Sequence, residues 1–234
     1  SGPWSNFGAM ATALEPTHGT GAFMGYLDPG PDGRLHDGGI PNKMGNSYTD
    51  FLASWTAQLA VIASLIHRSR TGKGMWVDLA MYQVGSSFIG EGIWDFAFNG
   101  RRTRRMGNRD HTMSPHGCYP CLGQDEWVTI AVRDDRDWEA CCQALGQPSL
   151  AGDSRFAHPT DRHGHQDELD EIISRWTSTQ SQYQIMEALQ SAGVPAGPVL
   201  NAKALLADPQ YRARGFFQPA DHADETGLGR KEYV

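Results

Sequence analysis

Residues 49–83 read TDFLASWTAQLAVIASLIHRSRTGKGMWVDLAMYQ, and they hold the clearest helical pattern in the chain. Leu52, Trp55, Leu59, Ile62 and Ile66 step by three, four, three and four, which places them on one helical face. Ala53, Ala57, Ala60 and Ala63 widen that apolar surface, so the helix is expected to be buried on several sides. Ser47, Thr49 or Asp50 is placed to cap its start. Gly72 and Gly74 end it after Arg68 and Arg70 in the last turn. Residues 75–79 then read as a short strand, and YQVGSSFIGEGIWDFAF as helix, weakened by Gly85, Gly90 and Gly92.

Beyond this block the periodicity stops. NGRRTRRMGNRDHTMSP, residues 99–115, is a loop with five arginines. HGCYPCLGQDEWVTIAV, residues 116–132, reads as strand, polar turn, strand. Its Cys118 and Cys121 have the spacing of a redox dithiol or half a zinc site. A dithiol of that kind sits at a helix N-terminus, which lowers a thiol pKa, and no helix follows Cys121. Zinc would need a second ligand pair, and Cys141 and Cys142 are adjacent. A hairpin carrying small apolar thiols is the preferred reading. Amphipathic helices follow in DRDWEACCQALG, HGHQDELDEIISRWTSTQ and SQYQIMEALQSAG. VPAGPVL is extended, AKALLADPQYRARGFF holds one or two short helices, and residues 216–220 form a last strand.

Composition bounds the function. The 234 residues suffice for one large domain or two small ones. Twenty Lys and Arg against 27 Asp and Glu leave a net charge of −7, without the basic footprint of a nucleic-acid binder. No apolar run reads as long enough to span a membrane. The opening Ser1-Gly2-Pro3-Trp4 is not a signal peptide, and the absence of an initial Met suggests a piece of a longer chain. Four cysteines do not make a disulfide scaffold, so a reducing, cytoplasmic setting is expected.

His163 and His165, with Asp161 and Asp167, have the residue types of a metal site, but alternate residues in a polar loop read as solvated, and no metal is expected. His116 alone lacks a visible acid–base partner. Arg101, Arg102, Arg104, Arg105 and Arg109 are suited to grip a phosphate or carboxylate, with Gly107 permitting close backbone approach. Gly-x-Ser-x-Gly, P-loop and dinucleotide fingerprints are absent.

IASLIHRSRTGKGMWVDLAMYQ resembles the signature of the family III CoA-transferases, the CaiB/BaiF type that includes formyl-CoA transferases and α-methylacyl-CoA racemases. RRMGNRDHTMSPHGCYPCLGQDEWVTIAVRDDRDWEACCQALG is similar to that family's glycine-containing loop and small-domain hairpin. GVPAGPVLNAKALLADPQYRARGFF is similar to its segment returning to the large domain, and GPWSNF to the turn before its active-site helix. The resemblance implies an α/β fold, with part of a large Rossmann-like domain, a small α+β domain and an interlocked homodimer. Residues 1–115 would belong to the large domain and linker, 116–195 to the small domain and 196–234 to the return segment. By the same resemblance, the family's N-terminal nucleotide-binding portion, with much of its CoA site, is expected to be missing ahead of Gly2.

The implied activity is transfer of coenzyme A, carried as a thioester, from an acyl-CoA to a carboxylic acid. In the family an Asp attacks the thioester to form a mixed anhydride, then an enzyme-bound CoA thioester. An anhydride stores the thioester's reactivity and divides one hard exchange into easier steps. Backbone N–H groups of the glycine loop, Met106-Gly107-Asn108 here, would stabilise oxyanions. Arg104, Gly107, Asn108 and Arg109 are thereby the expected substrate-binding residues. Counted without a gap from Gly2 to Gly19, the family's Asp falls on Ala11, which cannot do this chemistry. Glu15 is the nearest carboxylate and the expected nucleophile, although Pro16 disfavours helical geometry there; Asp28 and Asp50 are further candidates. The alternatives are an α-methylacyl-CoA racemase, which needs acid–base groups about the α-carbon, or a non-catalytic subunit of a two-part transferase.

Overall fold

A computed structural model describes residues 2, 3, 6, 8, 10–26, 28, 29, 35, 36, 41–45, 47–222, 227 and 229–233. Trp4, Ser5 and Phe7 of the Gly-Pro-aromatic turn and the side chain of Asp28 lie outside the described residues. The chain divides into two compact units, Ser1–Asn108 and Arg109–Val234. Both are mixtures of helix with small antiparallel sheets.

The first unit runs α1 (Ala11–Thr17), a 3₁₀ turn at Thr20–Ala22, β1 (Asp28–Pro29), β2 (Leu35–His36), α2 (Tyr48–Thr71), α3 (Met81–Ser87) and α4 (Gly90–Asn99). The two short strands pair antiparallel. α2 ends where Gly72 turns left-handed at φ +72° and its N–H returns to the Arg68 carbonyl. Only Thr49, Leu52 and Ala53 of α2 are buried, which corrects the expectation of a helix covered on several sides. Trp55, Leu59 and Ile62 are 62%, 69% and 55% exposed, although they share the face that periodicity marked. By length and composition α2 is also apolar enough to cross a membrane, against the sequence reading that no segment reaches that threshold.

Residues 75–79 are not a strand. A strand needs a neighbour to take its backbone hydrogen bonds, and no described strand lies beside them. The helical run after Met81 breaks at Phe88 and Ile89 into α3 and α4. Two of the glycines that weakened that helix, Gly85 and Gly92, are sites of close approach. A Cβ at Gly85 would lie 2.4 Å from the His18 ring, and one at Gly92 would lie 2.2 Å from Phe23.

The second unit contains β3 (His116–Pro120), β4 (Trp127–Ala131), α5 (Asp135–Ala144), α6 (Pro159–Gly164), α7 (Gln166–Thr177), α8 (Gln182–Ser191), β5 (Ala196–Val199), α9 (Ala202–Ala207), α10 (Pro209–Ala213), β6 (Gln218–Asp221) and β7 (Arg230–Tyr233). The hairpin β3–β4 pairs Cys118 with Thr129 and Tyr119 with Val128, and β5 adds antiparallel to β4. In β4, Val128 and Ile130 are buried while Trp127 and Thr129 face out, the period-two pattern of a sheet with one covered face. Trp138, Cys141 and Cys142 of α5, Leu169 and Ile173 of α7, and Ile185 and Leu189 of α8 pack on that face. Each large apolar side chain so buried contributes about 1.5–3 kcal/mol. Helix starts are capped locally, by Asp134 on α5, by a Ser181–Gln184 capping box on α8, and by Asn201 and Asp208 on α9 and α10.

All four cysteines are free. Burial pushes the Cys121 thiol up to about 11 and Cys142 to about 12, and raises Cys118. Thiols shifted this way are poor thiolate nucleophiles. The Cys-x-x-Cys spacing here is strand packing.

Candidate active site

The first unit gathers a buried polar cluster where α1 meets the start of α2. Glu15 is helical despite Pro16, in a helix of only seven residues. Its carboxylate is anchored from outside that helix. Oε1 accepts the Tyr48 N–H at 3.0 Å, while Oε2 is buried without a hydrogen-bond partner among the described residues. The residue is 3% exposed. Ser47, the N-cap of α2, gives no side-chain cap, and Asp50 sits exposed in the first turn. Glu15 therefore does the capping that sequence assigned to Ser47, Thr49 or Asp50. A helix N-terminus, with free N–H groups and a favourable dipole, suits a carboxylate.

His18 lies beside it, 4% exposed. Its Nε2 is 2.8 Å from Thr49 Oγ1 and its Nδ1 is 3.0 Å from Thr20 Oγ1, so both ring nitrogens are engaged. The Ser86 hydroxyl donates to the His18 carbonyl at 3.3 Å. The ring rests on bare backbone at Gly85. Sequence reasoning missed His18 and Thr20 and read Thr49 only as a cap; the glycine at 85 inside a helical run was the one local sign of a close approach there.

Burial lowers the His18 pKa below its ordinary 6.5, against the opposing pull of the Glu15 carboxylate. The unfolded chain therefore takes up this proton first as pH falls. The stability contributed by neutral His18 is complete above 6.5 and declines as pH drops toward the depressed folded value. The unfolding midpoint should fall as the pH drops below 6.5, and His18→Gln should remove part of that fall. Identical pH slopes in the two proteins would contradict this.

The arginine loop is more committed than expected. The Gly107 N–H donates to the Gly25 carbonyl at 3.0 Å, with Gly107 at φ +61° and the Tyr26 ring close by. The Gly107 N–H is thus already paired within the first unit. Arg105 holds the Gly21 and Met24 carbonyls, and Arg101 pairs with Asp95. Arg104 and Asn108 are exposed in the first unit. Arg109 belongs to the second unit, where its Nη2 meets Asp167 at 2.5 Å and Asp170 at 2.7 Å. Tyr119 donates to Asp170 at 2.9 Å, so Arg109 anchors α7 next to β3, with its charge matched. The loop residues are thus not gathered with Glu15 by any described contact.

His116 opens β3 opposite Ala131. His163 Nδ1 is bonded to Gln166, and His165 Nδ1 to the Asp161 carbonyl. Among the described residues no group of three His, Cys, Asp or Glu side chains is placed to hold a metal ion.

The model of CoA-transferase family III matches residues 1–231. The chain is 31% identical over 221 residues to a probable CoA-transferase, Rv1866, of Mycobacterium tuberculosis, covering 94% of this chain and 27% of the relative. It is 31% identical over 214 residues to the succinyl-CoA–D-citramalate CoA-transferase of Chloroflexus aurantiacus, covering 92% and 50%. The crystal structure of a CAIB/BAIF family protein from Brucella suis superposes with a TM-score of 0.80 at 26% identity, over 93% of this chain and 55% of that one. The chain spans about half the length of such relatives, or less.

Proposed function

The chain belongs to CoA-transferase family III, and from that premise we propose that the whole protein moves coenzyme A between an acyl-CoA thioester and a carboxylic acid, with Glu15 as the attacking carboxylate. The observation that carries Glu15 is its pair of oxygens, one anchored on the Tyr48 N–H and the other buried with no partner among the described residues, on the helix that Ala11 opens. Anchoring one oxygen orients the other, and orientation is a large part of what an enzyme contributes.

In this reading Oε2 attacks the thioester carbonyl carbon, the C–S bond breaks and CoA thiolate leaves, giving a mixed anhydride. The thiolate then attacks Cδ of Glu15, the C–O bond breaks, and the donor acid departs. The acceptor carboxylate attacks Cδ of the resulting glutamyl thioester and displaces the thiolate. The thiolate attacks the acceptor's carbonyl carbon, forming the new acyl-CoA and restoring Glu15. Every step exchanges one acyl bond for another, so the cycle needs no oxidant or metal. The test is exchange of isotope-labelled acids into acyl-CoA by the whole protein across a panel of carboxylic acids. Label should enter the thioester pool; no exchange with any acid would sink the proposal.

Arg104 and Asn108 are proposed as contacts to the anionic CoA. Arg104→Ala should weaken CoA binding by about threefold to tenfold at low salt, with a smaller effect at high salt, because exposed charges are screened. Equal titration curves for the two proteins would mean that Arg104 only solvates the loop. Gly107 and Arg109 then shape the loop and the second unit without touching the ligand.

A second reading is favoured by Ala11 together with the capping role of Glu15: the chain serves as the non-catalytic subunit of a two-part transferase. In that case exchange appears only when an Asp-bearing partner chain is added.

A further inference from the structure

A cleft of about 180 Å³ opens in the first unit. Phe23, Met24, Met44, Phe88 and Ile89 form its apolar wall, and Glu91 is its only carboxylate among the described residues. No lysine, arginine or histidine lines it there. The wall is seated on bare backbone. Phe23 packs where a Cβ at Gly92 would be 2.2 Å away, and Ile89 packs where one at Gly19 would be 2.5 Å away. Tyr48 and Thr20 complete the lining, and both are bonded to the buried polar pair. The Tyr48 N–H donates to Glu15, and the Thr20 hydroxyl meets His18. The cleft is therefore one residue removed from the carboxylate assigned to the chemistry.

A cavity of about 150 Å³ lined by aliphatic and aromatic side chains has room for benzene. This cleft accordingly has room for a ring or a branched alkyl group, and its two methionines adapt to either shape. A second carboxylate entering it would give up part of its water to an apolar wall and face Glu91, with no cationic side chain among the described lining residues. We infer that the cleft takes the apolar end, aryl or branched alkyl, of a monocarboxylic acyl group and rejects acyl groups that end in a second carboxylate. The identity of the ligand as an acyl-CoA rests on the transferase reading above.

Calorimetric titration of the whole protein with two unreactive thioethers, S-benzyl-CoA and S-carboxypropyl-CoA, reads the cleft without turnover. S-benzyl-CoA should bind at least about tenfold more tightly, the effect of burying one ring. Ile89→Trp, which fills the cleft, should abolish that preference, and Glu91→Arg should reverse it. Equal binding of the two thioethers, a preference for the carboxypropyl compound, or an unchanged preference in both variants would overturn the inference. Exchange of labelled acids, followed in parallel, reports on the transferase reading alone. If exchange is absent while the benzyl preference stands, the transferase reading fails and the assignment of the cleft remains.

Discussion

Glu15→Gln should abolish CoA exchange, with a loss on the order of 10⁴-fold or more, while leaving the fold intact. The amide oxygen of Gln still accepts the Tyr48 N–H, so the cap on α2 persists. What disappears is the anionic oxygen, and a neutral amide does not form an anhydride with a thioester. Glu15→Ala should be equally inactive and also lose about 1 kcal/mol of stability, the ordinary cost of removing a helix cap. The comparison separates the two roles of one side chain. If Glu15→Gln retained full exchange while Glu15→Ala lost only stability, Glu15 would be a cap and nothing else.

Arg162→Met should strongly destabilise the second unit. Arg162 is 1% exposed. Its Nε donates to the Ser114 carbonyl at 2.9 Å, Nη1 to the Phe156 carbonyl at 3.0 Å and Nη2 to Asp135 at 2.8 Å. Its guanidinium also stacks over the Trp138 ring, 5.7 Å from the centroid. Methionine keeps much of the volume but leaves two buried carbonyls unpaired, at about 1–3 kcal/mol each. The expected loss is about 3 kcal/mol, or roughly 10 °C in Tm for a unit of this size. Arg155→Ala is the contrasting variant. Its guanidinium is 46% exposed in its pairs with Asp153 and Glu168, and such surface pairs contribute less than about 1 kcal/mol. Urea unfolding of both variants decides the matter; a similar midpoint for the two would contradict the role given to Arg162.

The length and end of α2 follow from local signals, the three-four spacing and Gly72, and the hairpin from β-branched alternation in residues 127–131. These are near-neighbour effects that a linear reading captures. The cap on α2 comes from Glu15, 33 residues before the N–H that it satisfies, and no local pattern announces it. Arg109 was readable as an anion grip because the loop is basic. Its partners Asp167 and Asp170 stand 58 and 61 residues away, and only the fold brings them together. Residues 75–79 have the composition of a strand, yet a strand is a property of a pair, and no described strand supplies the partner. The family signature reached further than periodicity because it pointed to the fold as a whole. Under the proposed reading, the ungapped count that ends on Ala11 leaves the attacking carboxylate to Glu15 or to another chain.

Hydroxylamine trapping tests the central claim most directly. The whole protein is incubated with an acyl-CoA, quenched with hydroxylamine, digested and mapped by mass spectrometry. An activated carboxyl is converted to a hydroxamate where it stands, and the account predicts that modification at Glu15, dependent on acyl-CoA and absent in Glu15→Gln. A hydroxamate on any other carboxylate, or none in a protein that still exchanges CoA, would contradict it.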